Sequence, residues 1–287
     1  MRAATRAIGR CGLAAVAVLA LSAASVRAPE AQQLIERRLD EARALVFRRD
    51  YGTATEQLRQ LRDAAPEAER ARVENALGWT LFNAGDAKSA QAHLEEAARH
   101  AEGQGDTDLS VRIANNLGVV LFSQGDLDGA EAQFKRSATA GASDVPARYL
   151  ALIAEQRRTN RVNELISNGI FLRRALKFEE AEAAYSQALD LAPGNVRALE
   201  FRGYARFRLG RLEEALDDLL EAHAIDPRGL TIVINLLKVH CRAGEMPAAR
   251  AVAVKSADLL RERIEVVRSD RELREVCGER LGALLPA

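Results

Sequence analysis

The chain of 287 residues has three cysteines, one tryptophan, seven prolines and only 5% aromatic side chains. So few cysteines exclude a disulfide-dense miniature scaffold. So few aromatics argue against an ordinary β-sandwich, whose strands draw on aromatic and β-branched residues. Excess charge of one sign is missing too: 41 basic against 41 acidic residues leave no global field to announce nucleic acid or a membrane surface. Motifs for reaction chemistry are absent, with no HExxH, CxxC, GxSxG, Walker-type or dinucleotide-binding pattern. The four histidines, His93, His100, His223 and His240, have no ligand-spaced neighbours. His93 and His100, seven apart, read as partly solvated helix positions. Paired carboxylates such as Glu95-Glu96, Glu179-Glu180 and Glu213-Glu214 recur at equivalent places, which marks architecture and not one acid/base site. No enzyme, catalytic residue, metal or cofactor is therefore expected.

Long hydrophobic runs are also scarce; the one that stands out lies at the start. Arg2, Arg6 and Arg10 precede an uncharged stretch from Cys11 to Val26, centred on LAAVAVLAL, and small residues at the exit offer a cut at Ala28 before Pro29. These are the parts of a secretory signal peptide, and the run is shorter than the roughly 20 residues that span a bilayer. Residues 1–28 are thus expected to leave, giving an exported, periplasmic or envelope-associated protein without an integral span. The alternative is a membrane-tethered structural subunit retained by an uncleaved segment. With the leader go four arginines and no acid, so 37 basic residues face 41 acidic ones, a formal −4. Cys241 and Cys277 would then lie where disulfides can form, but they read first as buried thiols used as small hydrophobes.

What fills the rest of the chain is repetition. Segments beginning at Val162, Val196 and Leu230 are 34 residues apart, and two share a closing phrase, EEAEAAYSQALDLAP and EEALDDLLEAHAIDP. Further copies begin near Ile35, Ala71 and Val111. Position 20 of the copies is Ala54, Ala90, Ala130, Ala181, Ala215 and Ala249. Position 8 is Ala42, Gly78, Gly118, Gly169, Gly203 and Leu237, and position 24 is Leu58, Leu94, Phe134, Tyr185, Leu219 and Ala253. Apolar residues at helical spacing mark two amphipathic helices per copy. Small residues at positions 8 and 20 let the two backbones approach, and the bulky position 24 fills the gap beside them. Gly85, Gly125, Gly210 and Gly244 stand where a helix needs a left-handed cap, and Pro66, Pro193 and Pro227 where the second helix must stop.

These residues resemble the tetratricopeptide repeat (TPR) family over roughly residues 35–260. The pattern departs from the family in lacking Trp at position 4, and in having Arg206 and His240 at the usually apolar position 11, which predicts looser packing in those copies. The resemblance implies an all-α solenoid of about six helical hairpins over residues 29–261, closed by a charged amphipathic capping helix over 262–287. Two register breaks interrupt it. One is a polar loop near Glu102 to Asp108. The other is an insert near 145–160, which reads as an extra helix, a lengthened first helix or the remnant of a seventh copy. Residues Arg148 to Lys177 hold seven cations against Glu155 and Glu164; an exposed basic face is the simpler reading, an acidic or lipid partner the alternative.

The same resemblance places positions 2, 5, 6, 9, 12 and 13 of each first helix in a concave groove. It implies peptide-binding roles for Arg72, Asn75 and Trp79; for Arg112, Asn115 and Asn116; for Asn163; for Arg197, Phe201 and Tyr204; and for Asn235 and Lys238. Asn pairs with an extended backbone, Arg and Lys favour acids, and aromatic rings anchor apolar groups. The plainer alternative is that the asparagines bridge neighbouring helices. The implied partner is an extended peptide or helix of another protein, with no nucleic acid. The implied function is that of a non-enzymatic scaffold or adaptor in cell-envelope complex assembly.

Overall fold

A computed structural model describes residues 30–140 and 144–285, so the leader expected at 1–28 lies outside the described residues. Those residues fold as helices and contain no strand. Two compact units divide the chain, Met1–Ala154 and Glu155–Ala287. The first unit has α1 (30–47), α2 (Tyr51–Ala64), α3 (Glu67–Asn83), α4 (Ala87–Ala101), α5 (Thr107–Gln124) and α6 (Leu127–Ala140). The long α7 (Val145–Arg174) supplies residues to both. The second unit continues with α8 (Phe178–Leu191), α9 (Val196–Arg208), α10 (Leu212–Ile225), α11 (Leu230–Ala243) and α12 (Met246–Lys255). It ends with α13 (Ala257–Glu262), α14 (Ile264–Ser269), α15 (Arg271–Cys277) and a 3-10 turn, Gly278–Ala283. Odd and even helices from α1 to α12 pair into antiparallel hairpins, an all-α solenoid arrangement within each unit.

Why the hairpins close is visible at two repeat positions. A Cβ added at Gly78 would sit 2.7 Å from Leu94 Cγ, at Gly118 2.9 Å from the Phe134 ring, and at Gly203 2.8 Å from Leu219 Cγ; Gly169 faces the Tyr185 ring in the same way. The bulky position 24 therefore occupies the space that a side chain at position 8 would need. Leu94, Phe134, Tyr185 and Leu219 are wholly buried there, and forcing even a methyl group into such a contact costs about 1–3 kcal/mol.

The turn between paired helices is equally regular. Position 15 has positive φ in all six copies: 63° at Arg49, 92° at Gly85, 83° at Gly125, 61° at Leu176, 81° at Gly210 and 77° at Gly244. Four copies place glycine where a left-handed residue is required, and two do not. Helix starts are capped by Asp50, Asp86, Asp106 and Asn195, whose side chains accept from the backbone N–H three residues on.

Three sequence expectations need correction. Residues 262–285 do not form one capping helix. They break into short helices because Val267, Leu273, Leu281 and Leu284 must all reach one core with Val233, Ile234 and Leu237 of α11, which a single straight helix cannot do. Cys241 and Cys277 are not free thiols but a disulfide, Cα to Cα 5.1 Å, tying α11 to the end of α15. Nor are position-11 residues loosely packed. Arg206 donates to Glu182 at 2.8 Å and to Asp218 at 2.9 Å. Asp218, buried, also accepts two bonds from Arg202, at 2.7 and 2.9 Å. His240 is buried with Nδ1 2.9 Å from Glu245. Burial is tolerated because each of these polar groups has a partner.

The insert is a lengthened first helix. Its start belongs to the first unit: Tyr149 stacks on Phe134 with centroids 4.7 Å apart, and Ile153 joins that core. Its end belongs to the second, through Val162, Leu165 and Ile166. Every residue from 154 to 161 is exposed.

Candidate functional site

Within the first unit, α1, α3 and α5 line an open groove of about 570 Å³. Its floor is apolar, built from Leu39 and Ala42 of α1, Leu58 of α2 and Ala76 of α3. Polar groups stand on this floor in a defined order. Asn116 Nδ2 donates to Asn75 Oδ1 at 2.9 Å, joining α5 to α3. That bond leaves an amide donor on Asn75 and a carbonyl acceptor on Asn116, the two functions an extended backbone needs. At one end Arg72 lies 3.5 Å from Glu36 and 3.6 Å from Glu69. Arg43 pairs with Asp40 at 2.6 Å. Arg112 is exposed on the rim, with no ion pair among the described residues. At the other end lie Trp79, Val46 and Phe47, the last 91% exposed. The groove thus has an uncompensated cation at one end and bare apolar groups at the other.

Five of the twelve residues implied by the family resemblance meet in this groove: Arg72, Asn75, Trp79, Arg112 and Asn116. Asn115 turns away, its Oδ1 accepting from Ser137 Oγ at 2.7 Å, the helix-bridging role that asparagine can also take. The groove residues of α1 were missed. They occupy positions 2, 5, 6, 9, 12 and 13 of the first copy, Glu36, Leu39, Asp40, Arg43, Val46 and Phe47, so the same rule extended one copy further would have found them.

The second unit treats the same face differently. Arg173 lies over Phe201 at 4.9 Å and over Tyr204 at 5.5 Å. Arg208 lies over Phe178 at 4.6 Å, and Lys238 is 5.8 Å from the Tyr204 ring centroid. Phe201 and Tyr204 are half-buried, and exposed Arg197 adds a cation 5.9 Å from Phe201. Below them Tyr185 is wholly buried, its hydroxyl without a partner among the described residues, and burial pushes the phenol up to about 12. Burial also raises the Glu200 carboxyl above the usual carboxylate range. Asn163 is exposed on α7, away from this cluster's ring contacts. Asn235 and Lys238 are both buried, and α15 with its cap lies against Lys238. Lys238 Nζ is 3.0 Å from Asp270 and 3.1 Å from Glu272, and Arg208 is 3.5 Å from Glu272.

The histidines of the first unit are held by carboxylates across α3 and α4. His93 Nδ1 is 2.7 Å from Glu74, and His100 is 2.7 Å from Glu67 and 3.0 Å from Glu96. No group of three or more His, Cys, Asp or Glu side chains is placed to hold a metal ion among the described residues. No described helix is long and apolar enough to cross a membrane.

Residues 69–140 and 169–229 each match a tetratricopeptide repeat family model. These two stretches are similar to tetratricopeptide repeats. They take in nearly all of α3, then α4 to α6, and the end of α7 with α8 to α10, so the matches fall in both units. No curated protein matches the chain in sequence. Among solved structures, the TPR2AB domain of yeast Sti1 in complex with pHSP90 is 16% identical, covering 85% of this chain and 97% of that one, with a TM-score of 0.47. MamA (41-end) from Desulfovibrio magneticus RS-1 is 18% identical, covering 70% and 97%, with a TM-score of 0.32. YrrB, described as a TPR protein with an unusual peptide-binding site, is 16% identical, covering 71% and 90%, with a TM-score of 0.33.

Proposed function

We propose that this TPR chain is a non-enzymatic interaction module that holds a segment of a partner protein in the groove of its first unit. The observation that carries the reading is the open groove itself. It combines an apolar floor, a free donor and acceptor on Asn75 and Asn116, the unpaired cation of Arg112 and the apolar end at Trp79 and Phe47. Its volume lies in the range of ordinary ligand sites. Binding is reversible burial with backbone hydrogen bonding, and no covalent step is involved.

The setting we infer is the cell envelope, with the protein acting as a scaffold or adaptor in complex assembly. Two features support export: the arginine-then-apolar leader of residues 1–28, and the buried Cys241–Cys277 disulfide, a bond that persists in oxidising compartments. Mass spectrometry of the protein from its native source tests the leader, since a chain beginning near Pro29 is expected. Affinity capture from an envelope extract tests the groove. The double variant Arg112→Glu with Asn116→Ala is expected to lose the partner while keeping the helical circular dichroism of the parent. Unchanged capture by the folded variant would sink the groove reading.

A further inference from the structure

The second unit contains an occupant for its own first-helix face, and its chemistry is readable. α15 and its cap, residues 270–277, form a short helix with acids at the start and apolar groups at i, i+3 and i+4. Asp270 caps the helix by accepting from Leu273 N–H at 2.7 Å, and Asp270 and Glu272 meet Lys238. Leu273 and Cys277 are buried, and Val276 packs beside both apolar clusters of this unit. Lys238 and Cys241, which receive this helix, are positions 9 and 12 of the last copy, and Arg208 is position 13 of the copy before. An acid-headed amphipathic helix thus lies on positions of the same kind as those lining the open groove of the first unit. This is recognition of a helix in a groove, performed within one chain.

The groove of the first unit offers matching chemistry, and among the described residues no segment lies across it as α15 does in the second unit. Arg72 is shared between Glu36 and Glu69, and Arg43 holds Asp40, so Arg112 is the rim cation left without an ion pair among the described residues. The floor of Leu39, Leu58 and Ala76 continues to Trp79. Two helical turns span about 11 Å, the distance over which an acidic first turn can meet a cation while the next turn buries its apolar side. Resting on the peptide-groove reading above, we propose that the partner segment is a short amphipathic helix, acidic in its first turn and followed by two aliphatic side chains three residues apart, as Leu273 and Val276 are, with the acid on Arg112. The groove and the segment's class are both taken from this chain's own geometry.

The test uses the full chain and a synthetic peptide of residues 269–280 with serine in place of Cys277. Trp79 is the only tryptophan and lines the groove, so its emission reports binding in the first unit alone. A saturable emission change is expected, weakened about tenfold or more by Arg112→Glu. A peptide with lysines for Asp270 and Glu272 is expected to bind Arg112→Glu better than the parent protein. Equal binding of acidic and lysine peptides to the parent overturns the proposal. If helix-incompetent, proline-rich peptides shift Trp79 and the acidic helix does not, the helical occupant is wrong and the groove reading stands. If no peptide of either kind moves Trp79, both fall.

Discussion

The two units repeat one hairpin and use its inner face in opposite ways. In the first, the face is open, with Arg112 unpaired and Asn75 and Asn116 each keeping a free polar function. In the second, cations lie on aromatic rings, Lys238 is buried against two acids, and a disulfide fastens the covering helix. The difference teaches that residue type at a groove position does not decide role. A cation there is a recognition group only when nothing from its own chain has reached it. Arg112 and Lys238 stand at positions of the same class, yet one faces solvent and the other is part of a core.

Substitutions can break this contrast, and the largest effect is expected in the second unit. Asp218→Ala strips the shared acceptor from Arg202 and Arg206. It is expected to cost about 3–5 kcal/mol, since an ion left without its partner away from water is far worse than the pair was good. Urea unfolding checks it, with Trp79 emission from the first unit as an internal reference. Next is the Cys241→Ser, Cys277→Ser double variant. The bond links residues 36 apart in sequence, and its loss is expected to cost about 2–4 kcal/mol. The covering helix is expected to stay docked through Leu273, Leu281 and Leu284, so protease resistance of the C-terminus without denaturant should persist.

A smaller effect sharpens the comparison directly. Lys238→Ala leaves Asp270 and Glu272 without their cation and is expected to lower stability by about 1–3 kcal/mol without altering partner capture. Arg112→Glu is expected to do the reverse, weakening capture at nearly constant stability. If both variants behave alike, the distinction between an occupied and an open face is wrong. The smallest effect concerns Leu176, left-handed at φ 61° and 68% exposed. Leu176→Gly is expected to raise the unfolding free energy by about 0.5–1 kcal/mol. Gly125→Ala, at φ 83°, should lower it by a similar amount.

Much of the fold was legible because the repeat positions report packing. The pairing of Gly118 with Phe134 and of Gly169 with Tyr185 follows from small residues set against bulky ones sixteen positions later. Glycine at position 15 disclosed four of the six left-handed turns. Arg49 and Leu176 hid the others, because tertiary closure imposes that conformation on whatever residue stands there. The broken C-terminal segment was illegible for another reason. Its leucines look helical along the chain, but their spacing is dictated by where α11 lies, which periodicity does not record. The disulfide was hidden for the same cause, since Cys241 and Cys277 become neighbours only after that return. At the groove, the family rule named positions on every first helix but could not say which of them the chain itself would cover.

The exposed middle of α7 has a consequence for how the molecule comes apart. From residue 154 to 161 no side chain is buried, so this stretch is held by intrinsic helicity and by exposed pairs such as Arg158 with Glu155 and Arg161 with Glu164, each of small worth. A segment of that kind transmits little cooperativity. Each unit has its own apolar core, and denaturant is expected to melt them in two steps, not one. Arg157, Arg158 and Arg161 put trypsin sites in the same stretch. Limited digestion is therefore expected to cut there first and release two fragments, each still folded.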